Sequence, residues 1–240
     1  MKVGRSLQEV LMELQRQNQA KKDYIAPAQS MRLEKDGRTF QMGEQAPFAT
    51  TQLFHRQLAS TLAIPAKYYD LMQKEKPELL AENVNVWLDT RQSNYMIRSM
   101  DYGAGPVARA LLSERYRRID NMEIASAVLP LFAGNDGYSV ESCEVTENRL
   151  YLKILNKRLE MEVRKGDIVQ AGVIISNSEV GLGAVSVQPL VYRLVCTNGL
   201  IIDDFGERRN HVGRQAKMAE DFTLYSDCLL YTSDAADDTP

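Results

Sequence analysis

Arginine and lysine side chains close to tyrosine are the residues of this sequence whose types and spacing best suit binding chemistry. Arg115, Arg117 and Arg118 surround Tyr116 in one short run, and further cations follow in the strands predicted next. Such cations neutralise phosphates, and an aromatic ring offers a nucleic-acid base a surface for stacking. If one sheet surface carries them, they predict sequence-tolerant binding of single-stranded DNA. The predicted binding residues are Arg115, Tyr116, Arg117, Arg118, Arg149, Lys153, Lys157 and Arg158.

A second interpretation of the same cations is structural. Alternating strands expose charged faces to water, and Glu114, Glu160 and Glu162 lie close enough in sequence to neutralise the basic residues. The two interpretations differ in one respect: the basic side chains either converge on one surface or pair individually with carboxylates.

Residues 53–73 have the two-helix spacing of a helix-turn-helix. In a DNA-binding protein of that kind, Lys67, Tyr68 and Lys74 would approach a groove of the duplex. The alternative is a helical hairpin packed on a sheet, with Tyr68 and Tyr69 partly buried, because two-helix spacing is common and carries no recognition by itself.

Catalytic patterns are few in this sequence. Asp203 and Asp204 follow a predicted strand, and together with Glu179 they offer carboxylates to a metal ion. Acids at strand ends more often form turns, and the sequence contains no phosphate-binding glycine loop, nucleophile elbow or paired metal-ligand motif. Neither histidine, His55 nor His211, has a recognisable partner. The sequence therefore favours a non-enzymatic protein and predicts no catalytic residue, metal or cofactor.

Length and composition are those of an ordinary globular protein. Of 240 residues, 44% are hydrophobic and 25% are charged. No apolar run approaches the roughly 20 residues that cross a bilayer, and no secretory segment is present, so we expect a cytoplasmic protein without a membrane partner. Cys143, Cys196 and Cys228 show no paired spacing, which argues against a disulfide framework and against a structural zinc site.

The last residues of the chain carry a foreign pattern. Residues 228–237, CLLYTSDAAD, resemble the translation of a transposon end used to prepare sequencing libraries, so we expect residues 228–240 not to be native. This segment holds Asp234, Asp237 and Asp238 and no basic residue, whereas the whole chain has 29 basic and 32 acidic residues. The remainder is therefore electrically neutral, and the acidic pI of the whole chain does not argue against nucleic-acid binding.

The secondary-structure elements that must position the candidate binding residues are mainly helices in the N-terminal part of the chain and mainly strands in the rest. Residues 6–9 form a capping-box pattern that begins a helix, residues 36–37 predict a hairpin turn, and helical spacing returns from Thr50, Pro65 and Pro77. Strand patterns follow from Asn94, and the most β-prone stretch runs from Gly172 to Asp204, with an Asn-Gly turn at residues 198–199. Other strands are predicted at residues 94–100, 138–145, 150–155 and 159–163, and a further helix at residues 122–132.

These patterns predict an α+β fold with a helix-rich N-terminal third. An antiparallel sheet built from about Asn94 to Asp204 forms its core, flanked by helices. We expect residues 1–90 and 91–227 to be a helix-rich and a sheet-rich part of the same domain.

Five segments of the chain together resemble the phage- and plasmid-borne family known as domain of unknown function 932. They are residues 62–69, 85–88, 110–121, 175–181 and 193–199. The resemblance implies a mobile-element protein of bacteria without established biochemistry, and a C-terminal helical part beyond the end of this chain. Its motif residues here are Asn177, Ser178, Glu179, Gly181, Gly183, Cys196, Asn198 and Gly199.

The order of the predicted elements is also similar to that of Rad52-type single-strand annealing proteins. A strand at residues 115–119 and a helix at residues 122–132 precede a run of strands that opens at Gly137. This similarity implies a curved antiparallel sheet with a basic groove for single strands, in a ring-shaped homo-oligomer. It is one of element order, and no individual residue transfers.

The leading interpretation is a non-enzymatic mobile-element protein associated with nucleic acid, which binds or anneals single-stranded DNA. One alternative is a protein-interaction module that modulates a host defence enzyme through exposed edge strands. Another alternative is a metal-dependent enzyme that uses Glu179, Asp203 and Asp204.

Overall fold

The computed structural model describes residues 7–132, 137–164, 167–193, 199–201 and 207–209. It contains two compact units. The first unit is Arg16–Tyr116, and the second unit combines the residues up to Gln15 with those from Arg117 onward. Several sequence predictions fall outside the described residues, namely those for Cys196, Asn198, Asp203, Asp204, His211 and residues 228–240.

The first unit is a six-stranded sheet covered by helices. Its strands, in the order β1-β5-β6-β4-β3-β2, pair antiparallel except for the parallel pair β4–β6. The strands are β1 (Lys21–Pro27), β2 (Met31–Leu33), β3 (Thr39–Met42), β4 (Phe48–Thr50), β5 (Asn94–Asp101) and β6 (Pro106–Ser113). The helices are α1 (Leu7–Ala20), whose last residues belong to this unit, α2 (Gln52–Thr61), α3 (Ala66–Glu75) and α4 (Pro77–Thr90).

Local signals determine the turns and helix ends of this unit. Between β2 and β3, Gly37 adopts a φ of +65°, and the Asp36 carboxylate accepts hydrogen bonds from the backbone N–H groups of Arg38 and Thr39. These bonds hold the pKa of Asp36 below its ordinary value, although burial opposes them. The Thr51 hydroxyl caps α2 by accepting from the N–H of Phe54. The hairpin predicted at residues 36–37 is therefore confirmed.

The helices α2, α3 and α4 bury one stripe each in the core of the first unit. Phe54 and Leu58 of α2 and Tyr69 of α3 are buried among Phe40 and Phe48 of the sheet. The two-helix pattern of residues 53–73 is thus a helical hairpin in the core beside a sheet. Tyr69 is fully buried rather than partly buried, while Tyr68 remains 47% exposed.

The second unit contains a five-stranded antiparallel sheet, in the order β11-β10-β9-β8-β7, with a short sixth strand paired to β10. The helix α5 (Asn121–Phe132) and the first part of α1 share its core, which includes Val10, Ile124 and Leu152. The strands are β7 (Tyr138–Val145), β8 (Leu150–Arg164), β9 (Asp167–Asn177), β10 (Val185–Arg193), β11 (Gly199–Ile201) and β12 (Glu207–Arg209).

The α+β class with antiparallel sheets is confirmed, but the pairing differs from the prediction in two places. The strands β5 and β6 pair with β1 and β4 rather than with the later strands, so residues 94–204 form parts of two sheets instead of one. The two strands predicted at residues 150–155 and 159–163 are one continuous strand, β8, with a bulge. The Asn156 carboxamide stabilises this bulge by accepting from the N–H of Arg158. Within the described part of the chain, no helix is long and apolar enough to cross a membrane.

Candidate nucleic-acid interface

The strand β8 separates apolar from basic side chains by simple alternation. Leu150, Leu152 and Ile154 are buried toward α5, at 0%, 0% and 1% exposure. Successive side chains of a strand point to opposite faces, so Arg149 and Lys153 lie on the other face of the sheet, on either side of Tyr151. We call this face of the sheet the β8 outer face.

The guanidinium of Arg149 is positioned by two neutral groups. Its Nη2 donates to the carbonyl of Leu182 at 2.6 Å, and its Nη1 lies 3.4 Å from the hydroxyl of Tyr151. A Cβ at Gly183 would stand 3.4 Å from Nη2, so this glycine lies in van der Waals reach of the guanidinium. The turn at residues 178–183 therefore presents Arg149 beside the ring of Tyr151 without neutralising its charge.

Four of the predicted cations, Arg149 directly before β8 and three residues within it, have no carboxylate partner. Among the described residues, no ion pair involves Arg149, Lys153, Lys157 or Arg158. Two of the three carboxylates expected to neutralise them have other contacts: Glu114 accepts from Asn94, and Glu160 accepts from Gln170. The side chain of Glu162, the third, lies outside the part that the structure describes. The interpretation of the basic residues as individually paired is therefore not supported for β8.

The neighbours on the β8 outer face are mainly polar. Ser142 of β7 lies opposite Lys153, and Ser176 of β9 lies opposite Tyr151. The hydroxyl of Ser176 is 2.8 Å from that of Ser186 on β10. One carboxylate also lies on this face, because exposed Glu144 of β7 is the cross-strand partner of Tyr151. This surface thus offers two cations, one tyrosine and several hydroxyl groups, with one negative charge at its edge.

The other predicted binding residues are placed elsewhere in the chain. Arg115 and Tyr116 belong to the first unit, and Arg117 and Arg118 to the second. Arg109, also part of the basic run in the sequence, is buried in β6 at 6% exposure. The structure thus brings together Arg149 and Lys153 on one face, with Lys157 and Arg158 exposed at the bulge of the same strand.

The family-motif residues at 177–179 are buried and serve the second unit. Glu179, 2% exposed, accepts from the backbone N–H of Asn121 at 2.8 Å, at the first residue of α5. A carboxylate in this position satisfies a helix N-terminal donor and interacts favourably with the helix dipole. The Ser178 hydroxyl accepts from the N–H of Leu182 in the following turn, where Gly181 has a φ of +78°. These contacts are structural.

Asn177 connects two of the segments that carried the family resemblance. Its Nδ2 donates to the carbonyl of Ile119 at 3.0 Å and to Oδ1 of Asn121 at 2.8 Å. Residues 110–121 and 175–181 therefore meet in space through buried amides. One alternative from the sequence placed Glu179 in a metal site with Asp203 and Asp204, which lie outside the described residues. In the structure the Glu179 carboxylate accepts from the first residue of α5, and among the described residues no three His, Cys, Asp or Glu side chains cluster as metal ligands.

A buried hydrogen-bond chain around His55 was missed by the sequence analysis. Thr50 Oγ1 contacts the carbonyl of Arg38 and lies 2.7 Å from His55 Nε2, and His55 Nδ1 lies 2.8 Å from the Tyr69 hydroxyl. A carbonyl only accepts, so Thr50 donates to Arg38, and its oxygen accepts from Nε2–H. Tyr69 then donates to the unprotonated Nδ1. Thr50 is therefore not a nucleophile activated by His55.

Burial sets the protonation states of His55 and Tyr69 in this hydrogen-bond chain. It lowers the pKa of His55 to about 4, although the nearby carboxylates of Asp70 and Asp36 oppose the shift. Burial, with help from Asp70, also raises the pKa of Tyr69. An open cleft of about 490 Å³ lies beside these residues, lined in part by Arg38 and Lys74. Because both ring nitrogens of His55 face protein groups, the imidazole is part of the core.

We expect His55 to make the stability of the protein depend on pH. Its pKa is about 4 in the folded state against 6.5 as the ordinary value, so the unfolded chain binds more protons between these pH values. The contribution of His55 is fully present above pH 6.5 and is lost as the pH falls toward 4, by roughly 3 kcal/mol. Chemical denaturation at several pH values should show this slope, and His55→Gln should flatten it.

The imidazole resonances provide a direct check on this expectation. The chain has two histidines, so the signal that disappears in His55→Gln identifies residue 55. Titration of that signal with a midpoint near 6.5 in the folded protein would contradict the buried hydrogen-bond chain.

Comparison with known proteins agrees with part of the resemblance found in the sequence. The family described as "Domain of unknown function (DUF932)" matches residues 109–218, a little under half of the chain. This range contains β8 and both segments joined by Asn177. No curated protein and no solved structure matches the chain. The similarity to single-strand annealing proteins therefore gains no support from these comparisons.

Proposed function

We propose that this chain binds single-stranded nucleic acid on the β8 outer face and performs no chemical step there. The observation that supports the proposal is the arrangement of Arg149, directly before β8, and of Tyr151 and Lys153 within β8 at alternate positions of the chain. Neither cation has a carboxylate partner within the described residues. Cations without internal partners remain available to neutralise phosphates.

The chemistry of this face suits a backbone-directed interaction. Arg149 and Lys153 contact successive phosphates, and the partly exposed ring of Tyr151 between them stacks on a base. Lys157 and Arg158 continue the positive charge toward the bulge, so that the cations from Arg149 to Arg158 extend over no more than roughly 30 Å at about 3.3 Å per residue. Stacking requires an unpaired base, and a single strand rather than a duplex is therefore the proposed ligand.

The biological setting belongs to the same proposal. A protein that holds single strands without sequence preference can protect them or promote their annealing, as expected for a protein of a mobile genetic element. Sequence tolerance is expected because stacking and phosphate contacts work with every base.

Fluorescence anisotropy with a labelled oligothymidylate tests the proposal. We expect saturable binding that weakens steeply with salt, with a linear dependence of log affinity on log salt concentration, and weaker binding to a duplex of equal length. Absence of binding at low salt, or binding that salt does not change, would refute a phosphate-directed interaction.

Removal of Glu144 should strengthen binding. This carboxylate is the cross-strand partner of Tyr151 and lies diagonally to Lys153, at roughly 7–8 Å between Cα atoms. It therefore repels a phosphate bound at that point. Glu144→Gln keeps the size and removes the charge, and we expect an affinity gain of about 3- to 10-fold at low salt in the same anisotropy assay.

The matched control is Glu147→Gln in the turn between β7 and β8, which makes the same change in net charge. If Glu144→Gln had no effect, or if both variants gained equally, the location of the ligand on the β8 outer face would be wrong.

A further inference from the structure

The solvent-facing side of α4 carries large apolar side chains. Leu79, Val86 and Trp87 are 45%, 62% and 47% exposed. Leu79 and Val86 are seven positions apart and therefore lie on the same helix face, with Trp87 at its edge. Single exposed apolar residues are ordinary, but a contiguous group on one face marks an interaction surface. We call these three residues, with Glu78 and Glu82, the α4 outer face.

The fold does not need this face. The opposite stripe of α4 contains Leu80, Ala81, Val84 and Leu88, all buried at 2% exposure or less. Asn85 fixes the helix to β2, because its side chain accepts from the N–H of Leu33 at 2.8 Å and donates to the carbonyl of Leu33 at 3.0 Å. The helix is thus fully anchored by its inner side, and the outer apolar residues are available for another molecule.

The neighbouring helix also exposes large apolar side chains. Helix α3 packs against α4, and its Tyr68 and Leu71 are 47% and 49% exposed. Aromatic side chains such as Tyr and Trp contribute most of the binding energy at protein interfaces. Five of the large exposed apolar side chains in the described residues therefore belong to two adjacent helices.

The charges that α4 itself carries beside Leu79 and Val86 are negative, whereas the exposed Lys76 precedes this helix and Lys67 and Lys74 lie on α3. Helix α4 contains no lysine or arginine. Glu78 and Glu82 lie on its exposed side, and neither has an ion-pair partner in the part of the chain that the structure describes. Asp89, farther along, pairs with Arg32 at 2.6 Å. The α4 outer face thus combines apolar anchors with two uncompensated carboxylates, and this combination is complementary to a positively charged apolar ligand.

We propose that the α4 outer face docks a basic amphipathic helical segment of a partner protein. The apolar side of the segment contacts Leu79, Val86 and Trp87, and its lysines or arginines face Glu78 and Glu82. The proposal concerns the first unit and is independent of nucleic-acid binding on β8 of the second unit.

The same charges argue against other occupants of this face. In a symmetric pair of two copies, the contact would bring together two α4 helices that carry acidic side chains and no lysine or arginine. An anionic membrane or a nucleic acid would be repelled in the same way. A basic protein segment satisfies both the apolar and the charged part of the face.

Trp87 makes the test selective, because it is the chain's only tryptophan. The probe is a fluorescein-labelled helical peptide of leucine and lysine, about 18 residues long or five turns. Two peptides of equal length serve as comparisons: one replaces lysine by glutamate, and the other replaces leucine by glutamine and keeps the positive charge. Anisotropy measures affinity, and an unlabelled copy reports burial of the indole through Trp87 emission.

We expect saturable binding of the leucine–lysine peptide alone, with a blue shift of Trp87 emission. Two changes should each weaken binding at least about 10-fold: Trp87→Ala, and the double variant Glu78→Gln with Glu82→Gln. Binding of Trp87→Ala is measured by anisotropy. The control double variant Glu34→Gln with Glu44→Gln removes two exposed carboxylates elsewhere in the first unit and should leave affinity unchanged. Circular dichroism verifies that all variants are folded.

Several results would overturn the proposal. These are failure of the leucine–lysine peptide to bind, equal binding of the acidic or the leucine-free peptide, and equal effects of the two double variants. Concentration-dependent self-association that Trp87→Ala abolishes would assign the face to a second copy instead. Competition by oligothymidylate would show that the peptide occupies the nucleic-acid site.

Discussion

Replacing Arg149, Lys153, Lys157 and Arg158 together by glutamine is expected to reduce the affinity for oligothymidylate by about 100- to 1000-fold at about 0.1 M salt. Each phosphate neutralised on a single strand contributes about 0.7 to the slope of log affinity against log salt. Four lost contacts should therefore lower the magnitude of that slope by about 3. The loss of affinity and the change in slope should appear together, because both arise from the same phosphate contacts. Anisotropy titrations at several salt concentrations measure both.

A second variant with the same change in net charge separates a local site from a general charge effect. Lys35, Lys67, Lys74 and Lys76 are exposed in the first unit, and their joint replacement by glutamine should alter affinity only a few-fold. If the two quadruple variants lost affinity and salt slope equally, the β8 outer face would not be the binding surface. Lys67 and Lys74 are the cations of the helix-turn-helix interpretation. If the first-unit variant lost more affinity than the β8 variant, α3 would be favoured as the surface that contacts the nucleic acid.

Glu179→Ala should lower the free energy of unfolding by about 3 kcal/mol. The substitution leaves the buried N–H of Asn121 without its acceptor, which costs about 1–3 kcal/mol, and creates a void at a site that is 2% exposed. It also removes a negative charge from the N-terminus of α5, where a charge contributes about 0.3–1 kcal/mol. Urea denaturation followed by circular dichroism measures the loss.

Glu179→Gln distinguishes a structural carboxylate from a chemical one. The amide oxygen still accepts from Asn121, so we expect a loss of only about 1 kcal/mol, and the folded variant should bind oligothymidylate as the unaltered chain does. A large loss of binding in a stably folded Glu179→Gln would contradict the assignment of this residue to helix capping.

Signals that act within a few residues predicted their elements well. Asp36-Gly37 predicted a turn because the Asp carboxylate and the left-handed glycine act within that turn, and Pro77 begins α4 at a position where its missing N–H costs nothing. The basic alternation of β8 could also be found from the sequence, since Arg149, Tyr151 and Lys153 already alternate with apolar residues.

Features that depend on residues far apart in the sequence could not be predicted from local sequence signals. His55 and Tyr69 lie on different helices, and only the packing of α2 and α3 brings their polar atoms together. The role of Glu179 depends on α5 beginning beside it, 58 residues earlier in the chain. Likewise, β5 and β6 have the same strand pattern in either sheet, so their pairing with β1 and β4 follows from the tertiary arrangement.

The pairing of β1 with β5 and of β4 with β6 has a consequence for synthesis on the ribosome. Lys21 is paired with Met100, and Thr50 with Ala108, so the sheet of the first unit cannot close until most of that unit has been translated. Until then the nascent chain holds β1 and β4 with open edges, which are prone to wrong pairing. The sheet of the first unit is completed only when the later strands β5 and β6 have emerged. Holdase chaperones that bind exposed strands are expected to act on the nascent chain during that interval.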